Sequence, residues 1–140
     1  MTVRLNPYLG FRDTAREAMD FYHSVFGGEL TFSTFGEFHA GEDPAEADKI
    51  MHSTLTTELG LVLMAADTPN EMEHTPGTDH SISLSGEDDD ESVLRGYWEK
   101  LSDGATVTVP LDKAPWGDTF GMCTDRFGVT WMVNIAGSAA

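Results

Sequence analysis

The sequence predicts an α+β fold built from two βαβββ modules, and two observations support this. The first is an internal repeat, because residues 6–13 and 80–87 both run from an extended apolar stretch into an acidic residue where a helix begins. The segments 60–64 and 128–132 match in the same way, 68 positions apart. The second is periodicity, since each half has one apolar stripe at helical spacing among short strand-like stretches. Two copies of about 70 residues indicate a duplicated half-domain rather than a solenoid, and residues 1–140 form one domain.

The first module, residues 3–67, opens with a strand over 3–11 and then a helix. Thr14 and Glu17 have the spacing of a capping box at the start of that helix. Six apolar residues then follow the spacing of one buried helix face: Ala15, Ala18, Met19, Tyr22, Val25 and Phe26. The two glycines at 27–28 end the helix.

The rest of the first module is predicted as three strands. They are expected over residues 29–35, 51–58 and 61–66. A polar loop over 36–49 follows the first of these, and the other two form a hairpin that turns near Gly60. Residues 68–79 contain two prolines and a glycine, so they are the expected linker between the modules.

The second module, residues 80–135, repeats the order β-α-β-β-β. After a strand over 81–85, four acidic residues at 88–91 suit the positive end of a helix dipole. The apolar stripe of this helix has five members: Val93, Leu94, Tyr97, Trp98 and Leu101. Three further strands are expected over residues 105–109, 119–124 and 129–135, with a loop over 112–118. Alternation in the first of these strands places Val107 and Val109 on one face.

Composition excludes several classes of function. The 24 acidic residues outnumber the 8 basic ones, and the net charge of -16 argues against binding to nucleic acid or to anionic membranes. No apolar run approaches the ~18 residues of a membrane span, and no signal peptide is recognisable, so a cytoplasmic location is expected. The single cysteine, Cys123, allows no internal disulfide and is expected to be a buried, inert thiol.

Eight short motifs, taken in order, carry a resemblance to a known family. They lie at residues 6–9, 18–22, 25–30, 51–52, 63–67, 116–118, 120–122 and 125–131, and they include Asn-Pro-Tyr-Leu, Phe-Gly-Gly-Glu-Leu, Trp-Gly-Asp and Asp-Arg-Phe-Gly-Val-Thr-Trp. Together they resemble the vicinal oxygen chelate superfamily of glyoxalase I, extradiol dioxygenases and bleomycin-resistance proteins, and its PhnB-like branch in particular. The resemblance implies that the two modules curl into a cup around one site, and that the protein is a homodimer.

The resemblance also implies positions for a divalent metal, one on the first and one on the last strand of each module. In this sequence those positions are Asn6, Met64, His80 and Met132. Only His80 matches the histidine, glutamine or glutamate that the metal enzymes use there, because an amide oxygen is a weak ligand and thioethers do not bind hard cations. No metal and no other cofactor is therefore expected.

A different metal site remains an alternative. His52 lies on a neighbouring strand, and His52 and His80 with Glu58 or Asp118 can form a facial triad. The chain would then be a superfamily enzyme of lyase, isomerase or dioxygenase type. A metal-free enzyme that uses His80 as its catalytic acid or base is a related possibility, because histidine titrates near neutral pH.

The favoured prediction is a metal-independent protein that binds a small organic ligand, an aromatic or cationic metabolite, in a wall of methionine and aromatic side chains. Asp118 is expected to meet a cationic group there. The predicted ligand contacts are Tyr8, His52, Met64, His80, Trp116, Asp118, Phe120, Met122 and Met132. The third hypothesis, besides binding protein and enzyme, is a module whose main role is association with a protein partner.

Overall fold

The computed structural model describes residues 3–37, 44–69, 72–77 and 80–137. The chain divides into two compact units, Met1–Thr75 and Pro76–Ala140. Each unit contains one four-stranded sheet and one long helix in the order β-α-β-β-β. The predicted fold class, α+β with two βαβββ modules, is therefore confirmed. The predicted loop over 36–49 and linker over 68–79 lie partly outside the described residues.

The first unit contains a sheet with the strand order β1-β4-β3-β2, in which only the β1–β4 pair is parallel. Its elements are β1 (Tyr8–Phe11), α1 (Ala15–Phe26), β2 (Glu29–Thr34), β3 (Ile50–Thr56) and β4 (Val62–Asp67), with a 3₁₀ turn at Pro44–Glu46. The second unit repeats this topology as β5-β8-β7-β6. Its elements are β5 (Ile82–Gly86), a 3₁₀ turn at Asp88–Asp90, α2 (Glu91–Ser102), β6 (Thr106–Lys113), β7 (Thr119–Thr124) and β8 (Thr130–Ile135).

The first strand is shorter than the prediction of 3–11. Pairing with β4 begins where the Met64 N–H donates to the Pro7 carbonyl at 3.1 Å, and Tyr8 is the first strand residue. Proline has no N–H to continue a ladder. Upstream of Pro7, Val3 and Leu5 are 99% and 100% exposed. Their apolar character was therefore not a reliable sign that residues 3–7 pair with another strand.

The helix α1 is not capped by the predicted box. Thr14 is the N-cap residue, but its side chain makes no capping hydrogen bond. Asp67, at the end of β4 and only 6% exposed, caps the helix instead. Its Oδ1 accepts from the Ala15 N–H and its Oδ2 from the Ile50 N–H, both at 2.9 Å. One buried carboxylate thus ties the start of the helix to two strands.

The two helices bury different fractions of their apolar stripes. In α1 the predicted face is confirmed, with five of its members buried: Ala15, Ala18, Met19, Tyr22 and Val25. In α2 only Leu94 and Leu101 are buried, and Val93 is exposed, contrary to the prediction. Leu94 packs with Val133 and Ile135 of β8, and this contact holds α2 against one face of its sheet.

The strand β6 differs most from its prediction. It extends to Lys113, so the predicted loop over 112–118 begins later. A register shift places Val107 opposite Cys123 and Val109 opposite Met122. Consecutive residues of β7 point to opposite faces, so the prediction that the two valines share a face is wrong.

The hairpin turns before β4 and β8 preserve the duplication in atomic detail. Thr57 Oγ1 accepts from the Leu61 N–H at 3.1 Å, and Asp125 Oδ1 accepts from the Val129 N–H at the same distance. Gly60 and Gly128 occupy the left-handed region, with φ of 85° and 87°. The Asp125 side chain accepts two bonds more than that of Thr57: its Oδ1 also accepts from the Phe127 N–H at 2.8 Å, and its Oδ2 accepts from the buried Trp131 indole N–H at 2.9 Å.

Each sheet has one face against its helix and one face that is only half buried. In β4 the buried residues are Leu63, Ala65 and Asp67, and the half-buried residues between them are Val62, Met64 and Ala66. We call the sheet face that carries Met64 the first open face. The corresponding face of the second sheet, which carries Met132, is the second open face. Among the described residues, neither helix is long and apolar enough to cross a membrane.

Cys123 is expected to be unreactive in the folded protein. Its side chain is buried, and burial, followed by the negative charge of Asp125, raises the pKa of the thiol to about 11. Because the thiolate is the reactive form, a disulfide reagent such as DTNB should react with the native chain far more slowly than with the chain unfolded in guanidinium. Equal rates in the two states would contradict the buried placement.

Candidate functional site

Three polar side chains form a hydrogen-bonded row across the first open face. Tyr8 Oη lies 3.0 Å from His52 Nδ1, and His52 Nε2 lies 2.9 Å from Thr54 Oγ1. The strand register explains the row, since Tyr8 in β1 and Thr54 in β3 both lie opposite Met64 in β4. His52 and Thr54 are two positions apart on one strand, so they point to the same face.

The row presents a partly exposed phenol. Tyr8 is 54% exposed, and its ring lies 5.6 Å from the His52 ring, tilted by 40°. Burial of part of the side chain raises the pKa of Tyr8, so the hydroxyl keeps its proton at physiological pH. A protonated phenol can both donate and accept a hydrogen bond, which makes Tyr8 the candidate contact for a ligand on this face.

The second open face carries methionine and aromatic side chains among polar ones. Met132 in β8 lies between Ser83 and Met122 in register, and Phe120 of β7 lies opposite Asn134. Trp116, in the loop between β6 and β7, is 65% exposed, and its ring lies 6.1 Å from the Phe120 ring. Four of the predicted contacts therefore lie near one another in the second unit: Trp116, Phe120, Met122 and Met132.

Asp118 is held by hydrogen bonds from its own unit. Its Oδ1 accepts from the Gly137 N–H at 2.9 Å and its Oδ2 from the Asn134 amide at 3.2 Å. These two bonds, with a smaller contribution from Trp116, lower the pKa of Asp118 below its ordinary value. Its carboxylate therefore fastens the chain after β8 to the loop before β7, a role that the sequence analysis did not foresee.

His80 lies before the start of β5 and is exposed. Its neighbour Ser81 contacts Met132, because Ser81 Oγ donates a hydrogen bond to Met132 Sδ at 3.3 Å. Sequence reasoning did not select Ser81 or Thr54. The spacing of Thr54 from His52 was a signal for a shared face, whereas the contact of Ser81 with Met132 depends on strand register.

The family's metal positions do not fit a divalent ion in this chain. Asn6 precedes β1, and the positions on the closing strands β4 and β8 are occupied by Met64 and Met132, whose thioethers are poor ligands for hard cations. Within the four described ranges, no group of three or more histidine, cysteine, aspartate or glutamate side chains is placed to hold a metal ion. The donor set therefore supports no step through a metal.

Comparison with known proteins places the chain in a well-populated group. The model of the Glyoxalase/Bleomycin resistance protein/Dioxygenase superfamily matches residues 4–133. Protein YjdN of Escherichia coli is 25% identical, over 94% of each chain. The crystal structure of protein PA1353 from Pseudomonas aeruginosa is 35% identical, covers 98% of this chain and 100% of its own, and gives a TM-score of 0.84.

A second solved structure is that of a Bacillus cereus protein described as a putative 3-demethylubiquinone-9 3-methyltransferase, PhnB protein. It is 26% identical, covers 96% of this chain and 100% of its own, and gives a TM-score of 0.71.

Proposed function

Because this chain belongs to the Glyoxalase/Bleomycin resistance protein/Dioxygenase superfamily, we propose that it is a metal-independent small-molecule-binding protein of the PhnB-like type. The resemblance read from the sequence motifs is confirmed at the level of the superfamily. The observation that carries the proposal is the first open face, where a hydrogen-bonded row of Tyr8, His52 and Thr54 lies beside the thioether of Met64.

The predicted contacts supply the chemistry of such a site. Methionine and aromatic side chains form an adaptable surface for flat organic molecules, and a few polar groups fix their orientation. In the first unit these contacts are Tyr8, His52 and Met64. In the second unit they are His80, Trp116, Asp118, Phe120, Met122 and Met132, and Asp118 acts there mainly by holding its loop.

Titration with the neutral aromatic dye Nile red tests the proposal. We expect saturable binding with a rise in dye fluorescence that is unchanged by EDTA. Met64→Lys places a charged group on the first open face and should weaken binding about tenfold or more, since a bound apolar dye would strip hydration from the ammonium. Leu59→Lys adds the same charge at an exposed turn and is the matched control.

Elemental analysis of protein purified without chelators tests whether the protein is metal-independent. A stoichiometric divalent metal that is lost in His52→Ala or His80→Ala would overturn the proposal in favour of the enzyme alternative. Equal effects of Met64→Lys and Leu59→Lys on Nile red binding would show that the dye binds elsewhere, which also contradicts the assignment.

We also propose that the protein is a homodimer in the cytoplasm, as the resemblance and the composition imply. The fully exposed apolar side chains of Val3 and Leu5 are consistent with an interface, since isolated chains gain from covering such groups. Sedimentation equilibrium at several concentrations should give twice the mass of one chain, and a monomer at all concentrations would contradict the dimer.

A further inference from the structure

The row of Tyr8, His52 and Thr54 can arrange its hydrogens in two complete ways. A neutral imidazole donates from one nitrogen and accepts at the other, whereas a hydroxyl can do either. In one order Tyr8 donates to His52 Nδ1 and Nε2 donates to Thr54. In the other order Thr54 donates to Nε2 and Nδ1 donates to Tyr8. The two orders differ only in the tautomer of His52 and the rotation of two hydroxyls.

Each order gives the Tyr8 hydroxyl a different capacity toward a ligand. When Tyr8 donates to His52, the lone pairs of its oxygen can accept a hydrogen bond from a ligand hydroxyl. When His52 donates to Tyr8, the phenolic hydrogen can be given to a ligand carbonyl. Because Tyr8 is 54% exposed, its hydroxyl has room for such a partner.

The surroundings of the row favour an uncharged ligand. In register, Met64 lies opposite both Tyr8 and Thr54, and Ser33 of β2 lies opposite His52. Thr31 of β2 lies opposite Thr54, and the carboxylate of Glu29 follows on the same face, opposite Thr56. Tyr8 on β1 is separated from β2 by two strands, so Glu29 does not lie beside its hydroxyl. The neighbours in register with the row supply a thioether and hydroxyls, and a charged ligand at Tyr8 would lose hydration without an ion pair in return. The net charge of -16 additionally repels anions.

We propose that the Tyr8 hydroxyl, positioned by His52 and Thr54, binds an uncharged oxygen of an aromatic ligand and takes carbonyl and hydroxyl ligands alike. The inference rests on the proposed function, and it narrows the ligand from an aromatic or cationic metabolite to a neutral, oxygen-bearing aromatic molecule. Tyr8 is the contact residue, and His52 and Thr54 are positioning residues.

Three uncharged probes of similar size test the proposed hydrogen bond to Tyr8 in the full chain. They are 4-ethylphenol, which has a hydroxyl, acetophenone, which has a carbonyl, and ethylbenzene, which has no oxygen. Titrations followed by amide NMR shifts should show that the first two bind about fivefold more tightly than ethylbenzene, as expected for one hydrogen bond. Tyr8→Phe should bring the ratio of the affinities for the oxygenated probes to the affinity for ethylbenzene close to one. Tyr97→Phe in the second unit is the matched control and should keep the preference.

His52→Leu separates positioning from contact. It leaves the Tyr8 hydroxyl in place but removes the group that orients it, so the ratio of the affinities for the oxygenated probes to the affinity for ethylbenzene should fall. A merely structural role of His52 would weaken all three probes together, and that result would overturn the positioning role.

The outcomes distinguish this inference from the proposed function. Equal affinities of the three probes for the native chain, or a preference that survives Tyr8→Phe, would overturn the hydrogen-bonding inference and leave apolar ligand binding intact. Binding of Nile red without binding of any of the three probes would do the same. If the native chain binds neither Nile red nor any of the three probes, the proposed function itself is contradicted.

Discussion

Replacing Asp125 by alanine is expected to lower the free energy of unfolding by about 3–5 kcal/mol. The carboxylate is 4% exposed and accepts three hydrogen bonds, from the Phe127 and Val129 N–H groups at 2.8 and 3.1 Å and from the Trp131 indole at 2.9 Å. Alanine would leave the indole N–H of a side chain that is 1% exposed without its acceptor. Urea denaturation followed by tryptophan fluorescence measures the change.

The internal repeat supplies a matched control for this variant. Thr57 occupies the same place in the turn of the first unit, where its side chain accepts one bond, from the Leu61 N–H. Thr57→Ala should therefore cost about 0.5–1.5 kcal/mol. The loss of unfolding free energy in Asp125→Asn should lie between those of the two alanine variants. The asparagine oxygen can still accept from the backbone, but its NH₂ group would face the indole N–H, which is also a donor. Equal losses for Thr57→Ala and Asp125→Ala would contradict the role assigned to the indole bond.

Replacing Asp67 by alanine is expected to lower the free energy of unfolding by about 2–4 kcal/mol. The change removes the cap of α1 at Ala15 and the acceptor for the Ile50 N–H at once. Both N–H groups belong to residues that are almost completely buried, so water replaces the carboxylate poorly. The loss should appear in urea denaturation, together with faster hydrogen exchange of these two amides.

Asp20→Ala is the control for the Asp67 variant. Asp20 lies on the exposed side of the same helix, and its removal should change the free energy of unfolding by about 0.5 kcal/mol or less. An effect of Asp67→Ala as small as that of Asp20→Ala would contradict the capping role. Thr14→Ala should also be nearly neutral, because the Thr14 side chain makes no capping bond.

Local patterns predicted the elements well where one residue decides the conformation. The glycines at 27–28 end α1, and Gly60 lies in a turn with positive φ, as the hairpin prediction requires. The predictions of strand register and strand ends were wrong where the conformation depends on which strands pair. The register shift in β6 separates Val107 from Val109, and Pro7 marks the point where β1 begins.

The candidate site was predicted as a set of residues but not as contacts. Tyr8 and His52 were selected separately, and they are 44 positions apart, so no local spacing indicates that their side chains meet. Thr54 was missed although it follows His52 at strand spacing. All the predicted ligand contacts, in both units, stay predictions.

The sequence by itself determined the duplication and the order of helices and strands, because repeat motifs, helical and strand periodicity and turn glycines are all local in the chain. The superfamily was indicated by the resemblance of eight short motifs. Only the tertiary structure decided that Asp67 caps α1, that Asp125 anchors Trp131, and that Tyr8, His52 and Thr54 form one row. These contacts join residues on different strands or elements, and a shift of one residue in strand register would turn each side chain to the opposite face.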